Sequence, residues 1–228
     1  MGLAGALNLV GVAAKFAGRF QSAEAAYARA LPIAEAAGPG DLLATLLHNV
    51  GGLAHARGRP ADGIAAARRG LRIREQISGA DDATVGLDCA ALAALLDDAG
   101  ENAEAETLYR RALPLLNRDP TTARQAALAR NGLGSICQSQ ERLDEAEQHY
   151  RAALTQFQTA AGPDHPQIAH ILNNLATLHR RRGHDNQARQ LLARAQDVLL
   201  RTLGSAHPLT RRVAGNKKRV DATPSPYV

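Results

Sequence analysis

A short segment recurs five times along the chain at nearly constant spacing, and this repeat restricts the possible folds more than any other feature. Its clearest copy begins at Asn173, and the earlier copies begin, 40 to 42 residues apart, at Asn131, Ala90, His48 and Asn8. A fixed period of this size is typical of arrays in which each repeat packs only on its neighbours. Function in such an array belongs to a long surface rather than to a single catalytic pocket.

Each repeat contains three small residues and one bulky residue at matching positions. The first small residue is Gly11, Gly51, Ala93, Gly134 or Ala176, and a turn follows seven residues later. The second small residue is Ala23, Gly63, Ala105, Ala146 or Ala188, and the third is Ala30, Gly70, Ala112, Ala153 or Ala195. The bulky residue between them is Tyr27, Tyr109, Tyr150 or Leu192, with Ala67 in the second repeat. Spacings of three and four place these residues on one helical stripe, which predicts a helix, a tight turn and a second helix. Gly63 and Ala67 predict looser packing in the second repeat.

This pattern resembles the tetratricopeptide repeat. Residues Asp144 to Leu154 and Glu104 to Leu113 match its second helix, and the resemblance covers about residues 3 to 220. The linker Gly162 to Pro166, echoed by Gly204 to Pro208, resembles that of the kinesin light chain type, which is also common in bacterial proteins. The resemblance implies an all-α fold, a right-handed α-solenoid of five helix-turn-helix repeats plus a C-terminal capping helix.

The turn residues predict the limits of the repeats within one domain that covers residues 1–220. The predicted repeats are residues 3–40, 41–82, 83–120, 121–164 and 165–206, followed by a capping helix at 207–220 and a flexible tail at 221–228. Pro32 and Pro114 fall inside predicted second helices, where a proline kinks or unwinds the helix. His165 and His207 belong to linkers and are expected to cap or pack there.

The resemblance also implies that the first helices line a concave groove. An asparagine side chain carries both a donor and an acceptor, so it can pair with the backbone of an extended peptide of any sequence. Asn8, Asn131 and Asn173 are therefore predicted to face a peptide, whereas Asn49 and Asn174 could equally tie one repeat to the next. The predicted groove residues are Asn8, Lys15, Thr45, His48, Asn49, His55, Asp97, Asn131, Ser135, Gln138, His170, Asn173, Asn174, Thr177 and Arg180.

No motif in the sequence indicates catalysis, and neither an enzyme nor a cofactor is expected. The chain has no glycine-rich phosphate loop, no HExxH and no nucleophile signature. Cys89 and Cys137 show no metal-binding spacing, and His48 and His55 have no carboxylate beside them in the sequence, so no metal site is predicted. The predicted function is a non-catalytic scaffold that binds a protein, a peptide or a partner helix in the groove.

Charge and hydropathy suggest an alternative function and a location. The net charge is +5, and Arg211, Arg212, Lys217, Lys218 and Arg219 lie close together near the end. The alternative is a regulatory or sensory module of a bacterial signalling or transcription system, whose basic C-terminal helix contacts an acidic partner. No aromatic residue lies among these charges and no helix-turn-helix motif is evident, so no nucleic-acid partner is expected. The sequence lacks a run of apolar residues that could span a membrane, and a cytoplasmic location is expected.

Overall fold

The computed structural model describes residues 2–79 and 82–222, and all regular secondary structure within these ranges is helical. The first helices of the repeats are α1 (Leu3–Phe16), α3 (Asp41–Ala56), α5 (Ala83–Asp98), α7 (Ala123–Ser139) and α9 (Pro166–Arg181). The second helices are α2 (Phe20–Ala36), α4 (Pro60–Ser78), α6 (Asn102–Leu116), α8 (Leu143–Ala161) and α10 (Asp185–Leu203). A short 3-10 turn, Pro120–Thr122, precedes α7, and α11 (Pro208–Asp221) follows α10. The predicted all-α series of helix, turn and helix is confirmed.

The contacts along the chain divide it into two compact units, residues 1–122 and 123–228. The N-terminal unit contains α1 to α6, and the C-terminal unit contains α7 to α11. The single domain over residues 1–220 stays a prediction. Asp221 is the last residue of α11, one residue beyond the predicted end of the capping helix, and residues 223–228 of the predicted tail lie outside the described residues.

The turn inside each repeat is closed by the same backbone hydrogen bond. The N–H groups of Arg19, Arg59, Glu101, Arg142 and His184 each donate to the carbonyl five residues earlier, over 2.8–3.0 Å. The bond requires a left-handed residue just before the donor, a position that glycine fills at least strain. Gly183 is an example, with φ 76°, but the fourth repeat uses Glu141 at φ 62°. The turn geometry is therefore the same in every repeat even where glycine is absent.

Histidines begin two of the first helices, as the sequence predicted. The Nδ1 atom of His165 accepts a hydrogen bond from the N–H of Gln167, and the Nδ1 atom of His207 accepts one from the N–H of Leu209, both over 3.2 Å. Each imidazole thus satisfies a backbone donor that has no partner within the helix. These two histidines are structural caps.

Two prolines lie in the interior of second helices. Pro32 lies within α2 and Pro114 within α6, and both helices continue through the proline for at least two further residues. Each proline lacks the N–H that would donate to the carbonyl four residues earlier, so one helical hydrogen bond is missing at each position. The predicted kink at these positions stays a prediction.

Paired helices approach closely where a glycine faces a tyrosine ring. A Cβ atom placed on Gly11 would lie 2.3 Å from Cε1 of Tyr27, and one placed on Gly134 would lie 2.8 Å from Cδ1 of Tyr150. Both rings are buried, so neither can move into solvent to make room. The small residues recognised in the sequence therefore allow the ring of one helix to lie directly on the backbone of the other.

The second repeat replaces the ring by Ala67, and its two helices still cross closely. A Cβ atom placed on Gly63 of α4 would lie 2.9 Å from Cβ of Ala54 and 3.0 Å from Cα of Gly51, both on α3. The prediction of looser packing is wrong for this crossing, because glycine on both helices lets the two backbones meet. The volume that a ring would fill becomes a cleft beside Ala67.

The core of the C-terminal unit continues into α11. Phe157, Leu172 and Leu199 are buried in one apolar cluster, and Val213 and Val220 of α11 belong to the same cluster. The opposite side of α11 exposes polar side chains, namely those of Arg211, Arg212 and Lys218. An amphipathic helix in this position covers the apolar surface of the last repeat, as a terminal repeat requires.

The contact between Gly134 and Tyr150 can be tested by Gly134→Ala. Helix propensity alone favours alanine by about 0.8–1.0 kcal/mol, whereas a methyl group pressed against a buried ring destabilises the fold by about 1–3 kcal/mol. We expect a net loss of stability in urea unfolding. Gly215→Ala on α11 is the matched control, because a Cβ atom there has nothing within 4 Å. It should be neutral or stabilising, and equal effects at both sites would contradict the assigned crossing.

Candidate functional site

First helices of successive repeats lie side by side in each unit. In the N-terminal unit α1 contacts α3 and α3 contacts α5, and in the C-terminal unit α7 contacts α9. A side-chain hydrogen bond from Asn216 to Asn173 connects α11 to α9. We call the surface formed by α1, α3 and α5, or by α7, α9 and α11, the first-helix face of its unit. All fifteen predicted groove residues lie on these helices.

Asparagines on this face form pairs that join one repeat to the next. The Nδ2 atom of Asn49 donates to Oδ1 of Asn8 over 2.8 Å, and Nδ2 of Asn174 donates to Oδ1 of Asn131 over 3.1 Å. In the third pair, Nδ2 of Asn216 donates to Oδ1 of Asn173 over 2.7 Å. Asn49 and Asn174 each donate to the preceding repeat, which is one of the two roles predicted for them, and their contact with a peptide stays a prediction.

The first two pairs each leave one amide nitrogen and one amide oxygen without a hydrogen bond. Within the described ranges, the Nδ2 atom of Asn8 and the Oδ1 atom of Asn49 have no hydrogen-bond partner, and the same holds for Nδ2 of Asn131 and Oδ1 of Asn174. None of these atoms is among the buried polar atoms that lack a partner, so they reach solvent. A pair therefore presents one donor and one acceptor to solvent at the junction of two first helices.

His48 occupies the corresponding position in the second repeat, but its partner is a carboxylate rather than an amide. Its Nδ1 atom lies 2.7 Å from Oδ1 of Asp88 on α5, and the other oxygen of Asp88 accepts a bond from Nε of Arg74 over 3.2 Å. Arg74 also donates to Asp41 over 2.6 Å and to Thr45 over 3.0 Å. Arg74 and Asp88 are both buried, so this network fixes α3, α4 and α5 together. Thr45, a predicted groove residue, contributes its hydroxyl oxygen to that network.

Carboxylates gather at the end of α5, next to the last turn of α3. The Nε2 atom of His55 lies 3.0 Å from Oδ2 of Asp98. Burial, with a further contribution from the charge of Asp98, raises the pKa of Asp97 to about 6. Burial and the charges of Asp97 and Asp98 raise the pKa of Tyr109 beneath them. Asp97 is thus half-buried and only weakly acidic, and it differs from an ordinary exposed carboxylate.

The cleft beside Ala67 opens on the first-helix face of the N-terminal unit. Its volume is about 100 Å³, and its walls are almost entirely apolar. The residues around it belong to α3, α4 and α5 and are His48, Gly51, Gly52, His55, Ala67, Ala91, Ala94 and Leu95. An engineered cavity of about 150 Å³ accommodates benzene, so an open cleft of this size can take up an apolar side chain.

Lys15 of α1 lies at the edge of this cleft. A Cβ atom placed on Gly52, a cleft residue, would be 3.2 Å from Nζ of Lys15. Burial lowers the pKa of Lys15, and its ammonium group lies 5.1 Å from the centre of the exposed Phe16 ring. No carboxylate of the described residues lies within 4 Å of this ammonium group. The cleft therefore has an apolar floor and an adjacent cation.

The remaining predicted residues of the C-terminal unit differ in their surroundings. Gln138 accepts a hydrogen bond from the hydroxyl of Tyr150 over 3.0 Å, so its side chain partly serves the core. Thr177 donates to the backbone carbonyl of Asn173 over 2.9 Å. Ser135 is half-buried, whereas His170 and Arg180 are exposed on α9. These residues lie on the first-helix face of the C-terminal unit.

Three groups on the first-helix face were not among the predicted site residues. Asn216 keeps the repeat register, yet its helix was treated only as a cap. Asp88 follows His48 by 40 residues, a spacing that matches the repeat period and could have identified the pair. Gly52 and Ala94 carry no chemical signal of their own, and only the packing around Ala67 shows that they border a cleft.

Comparison with protein families agrees with this architecture. Three family models, each described as a tetratricopeptide repeat, match residues 43–83, 89–124 and 124–201. The matched segments include all of α4, α6, α7, α8 and α9 and most of α3, α5 and α10. No curated protein sequence matches the chain at a significant level.

Solved structures share the fold at low sequence identity. BtubC (BKLC) from P. vanneervenii has 21% identity and a TM-score of 0.70, and the alignment covers 89% of this chain and 81% of that one. The apo form of RapI has 16% identity and a TM-score of 0.70, with 94% and 81% covered. The nearly identical TPR-like repeats of a Podosopora anserina putative kinesin light chain have 13% identity and a TM-score of 0.66, with 87% and 95% covered. The repeat sequence, the helix pairs and these matches agree, and the chain belongs to the tetratricopeptide repeat family.

Proposed function

We propose that the chain is a non-catalytic scaffold that binds an extended peptide segment of another protein along its first-helix faces. Tetratricopeptide repeats in general are protein-interaction modules without catalytic activity. The observation that carries the proposal is the outward amide donor of each asparagine pair, with an outward acceptor beside it on Asn49 and Asn174. An extended peptide backbone offers the complementary carbonyl and N–H groups at every residue.

The asparagine pairs are well suited to this role because the repeats themselves hold them in place. Asn8 and Asn131 are almost completely buried, and each accepts a bond from the next repeat, so their amide groups are oriented before a ligand arrives. Preorganised groups lose less side-chain entropy on binding than mobile ones. Each hydrogen bond contributes only about 0.5–1.5 kcal/mol, so measurable affinity requires several repeats to act together.

The cleft beside Ala67 lets the N-terminal unit discriminate between peptides by their side chains. Backbone pairing is blind to the side chains of the peptide, whereas an apolar cleft of about 100 Å³ favours a residue with an apolar side chain. Lys15 at its edge offers a partly desolvated cation to a carboxylate on the same peptide. The preferred ligand of this unit is therefore a peptide with an apolar residue next to an acidic one.

The second candidate function uses the basic C-terminal helix and an acidic partner. Arg211, Arg212 and Lys218 are exposed on α11, which favours such contact. Other cations of this segment already have internal partners: Lys217 lies 3.2 Å from Asp221, and Arg219 donates to Asn216 over 2.7 Å. The peptide-binding function is therefore preferred, with a regulatory or sensory role as the alternative.

The cellular location is part of the same proposal. Neither Cys89 nor Cys137 forms a disulfide, which fits a reducing compartment such as the cytoplasm. Among the helices within the described ranges, none combines the length and the apolarity that crossing a bilayer requires. A bacterial source, suggested by the linker type, remains an expectation.

Asn173→Asp tests whether the side chain of Asn173 donates to a peptide, without removing the oxygen that accepts from Asn216. The carboxylate keeps an oxygen that accepts the bond from Asn216 but has no N–H group for a peptide carbonyl. The probe is a peptide selected from a random display library for binding to the full chain. Calorimetry measures its affinity for the parent chain and the variant. We expect unchanged folding stability and a loss of binding of about 0.5–1.5 kcal/mol. Asn173→Ala should weaken both binding and folding.

Measuring the affinity of Asn173→Asp at low and high ionic strength distinguishes the effect of the lost N–H donor from that of the added negative charge. A charge effect at the surface diminishes at high ionic strength, whereas the loss of a hydrogen-bond donor does not. Full recovery of the affinity at high salt would exclude the Asn173 donor as a peptide contact, and no loss at all would place the peptide away from this face. Arg211→Glu with Arg212→Glu would then test the basic helix α11.

The cleft is tested by Ala94→Leu, which fills it from the wall formed by α5. Ala94 is half-buried and faces the cleft, so the longer side chain enters open space rather than the helix crossing. We expect the selected peptide to bind at least several-fold more weakly, with folding stability within about 1 kcal/mol of the parent chain. Ala103→Leu, at an exposed position of α6, is the control. Equal binding by both variants would exclude the cleft as a contact.

A further inference from the structure

We propose that Cys137, Glu145 and His149 form a binding site for a zinc ion between α7 and α8 of the C-terminal unit. The thiol sulfur, one carboxylate oxygen and one imidazole nitrogen of these residues all lie within 4.8 Å of one another. Glu145 and His149 are four residues apart on α8, so their side chains share one helix face. The site is independent of the peptide-binding function proposed above, because none of the three residues belongs to an asparagine pair.

The distances suit a tetrahedral ion. Two nitrogen or oxygen ligands bonded to one zinc ion at about 2.0–2.1 Å lie about 3.4 Å apart. The Nε2 atom of His149 and the Oε1 atom of Glu145 are separated by 3.4 Å. This separation is longer than a favourable N–H···O hydrogen bond, for which about 2.9–3.0 Å is usual. The pair is therefore spaced for a shared ion better than for direct contact.

The backbone turn determines where the cysteine lies. The N–H of Arg142 donates to the carbonyl of Cys137 over 2.9 Å, and Glu141 before it adopts the left-handed conformation. This bond holds the end of α7 against the first turns of α8, so the Cys137 side chain meets Glu145 and His149. The thiolate of a zinc site lies about 3.6 Å from the other ligand atoms, a position within reach of small rotations of these side chains.

Arg142 orients the carboxylate from outside the site. Its Nη1 atom donates to Oε2 of Glu145 over 2.6 Å, while Oε1, the other oxygen, faces His149. Metal-binding carboxylates commonly keep such an outer hydrogen bond, which fixes their orientation. The ion pair with Arg142 can thus persist while Oε1 binds the metal.

The combination of ligands indicates zinc rather than magnesium or calcium. Thiolate, imidazole and carboxylate are all zinc ligands, whereas the other two ions prefer oxygen ligands alone. The thiolate and the carboxylate would balance the two positive charges, and coordination itself favours the deprotonated thiol. Cys137 is buried, but the Glu145 and His149 side chains are 31% and 17% exposed, so an ion can enter from their side. Three protein ligands leave a fourth position for water.

The test uses cobalt(II) as a spectroscopic probe on the full chain after chelator treatment. We expect one equivalent of cobalt to give a thiolate-to-cobalt charge-transfer band and the visible bands of a tetrahedral ion, both displaced by zinc. Cys137→Ser should abolish the charge-transfer band, and Cys89→Ser, which alters the other buried cysteine, should keep it. Arg142→Ala should keep the band and weaken the affinity by about 10–100-fold.

Two further measurements keep the result decisive if a variant folds poorly. Circular dichroism checks the helical content of every variant, and His149→Gln removes the nitrogen ligand without altering the buried cysteine. Zinc should raise the melting temperature of the parent chain and leave that of His149→Gln unchanged. The absence of a charge-transfer band in the parent chain, or a band that survives Cys137→Ser and disappears in Cys89→Ser, would overturn the proposal.

Discussion

The close approach of the two helices within a repeat is the constraint on which the other features depend. Gly11 lies under the ring of Tyr27 and Gly134 under that of Tyr150, with no room for a methyl group in either case. This contact fixes the position of each first helix relative to its second helix. Where neighbouring repeats pack with similar geometry, first helices come close enough for asparagine amides to meet over 2.7–3.1 Å.

The second repeat shows how the same constraint can produce a binding feature. Ala67 stands where three of the other repeats have a tyrosine ring, and Gly63 restores the close crossing with Gly51. The helices therefore stay together while the volume of the ring is left open beside Leu95. Loss of a large side chain usually destabilises a core because a cavity remains. Here the void opens to the surface, where a ligand can fill it.

The repeat pattern predicted the helices closely because it records local geometry. The first helices and α11 begin within two residues of the starts predicted for the repeats and the capping helix, since turn residues and prolines mark these starts directly. The histidine caps at His165 and His207 were also predictable, because each precedes a proline at a helix start. The family and the fold class therefore followed from residues that act over a few positions in the chain.

The candidate site was less predictable because its geometry depends on contacts between repeats. A sequence shows that Asn49 and Asn8 share a face, but the direction of their hydrogen bond depends on how two helices pack. His48 illustrates the same limit, since Asp88 becomes its partner only when α3 and α5 lie side by side. The convergence of Cys137 with Glu145 and His149 likewise depends on the turn at Glu141, which lacks the usual glycine signal.

Ion pairs join second helices to their neighbours, whereas the asparagine pairs of the first-helix face are neutral, and this difference bears on function. Second helices are joined to neighbouring elements by ion pairs, such as Arg69 with Glu35 over 2.5 Å and Arg68 with Glu104 over 2.7 Å. Exposed pairs of this kind contribute little stability individually, but opposite charges at matching positions disfavour a shifted register. The asparagine pairs on the first-helix face are neutral, and neutral amides are less strongly hydrated than ions. Displacing water from these amides has a smaller desolvation cost than displacing it from an ion pair, and this difference supports the peptide-binding role proposed above.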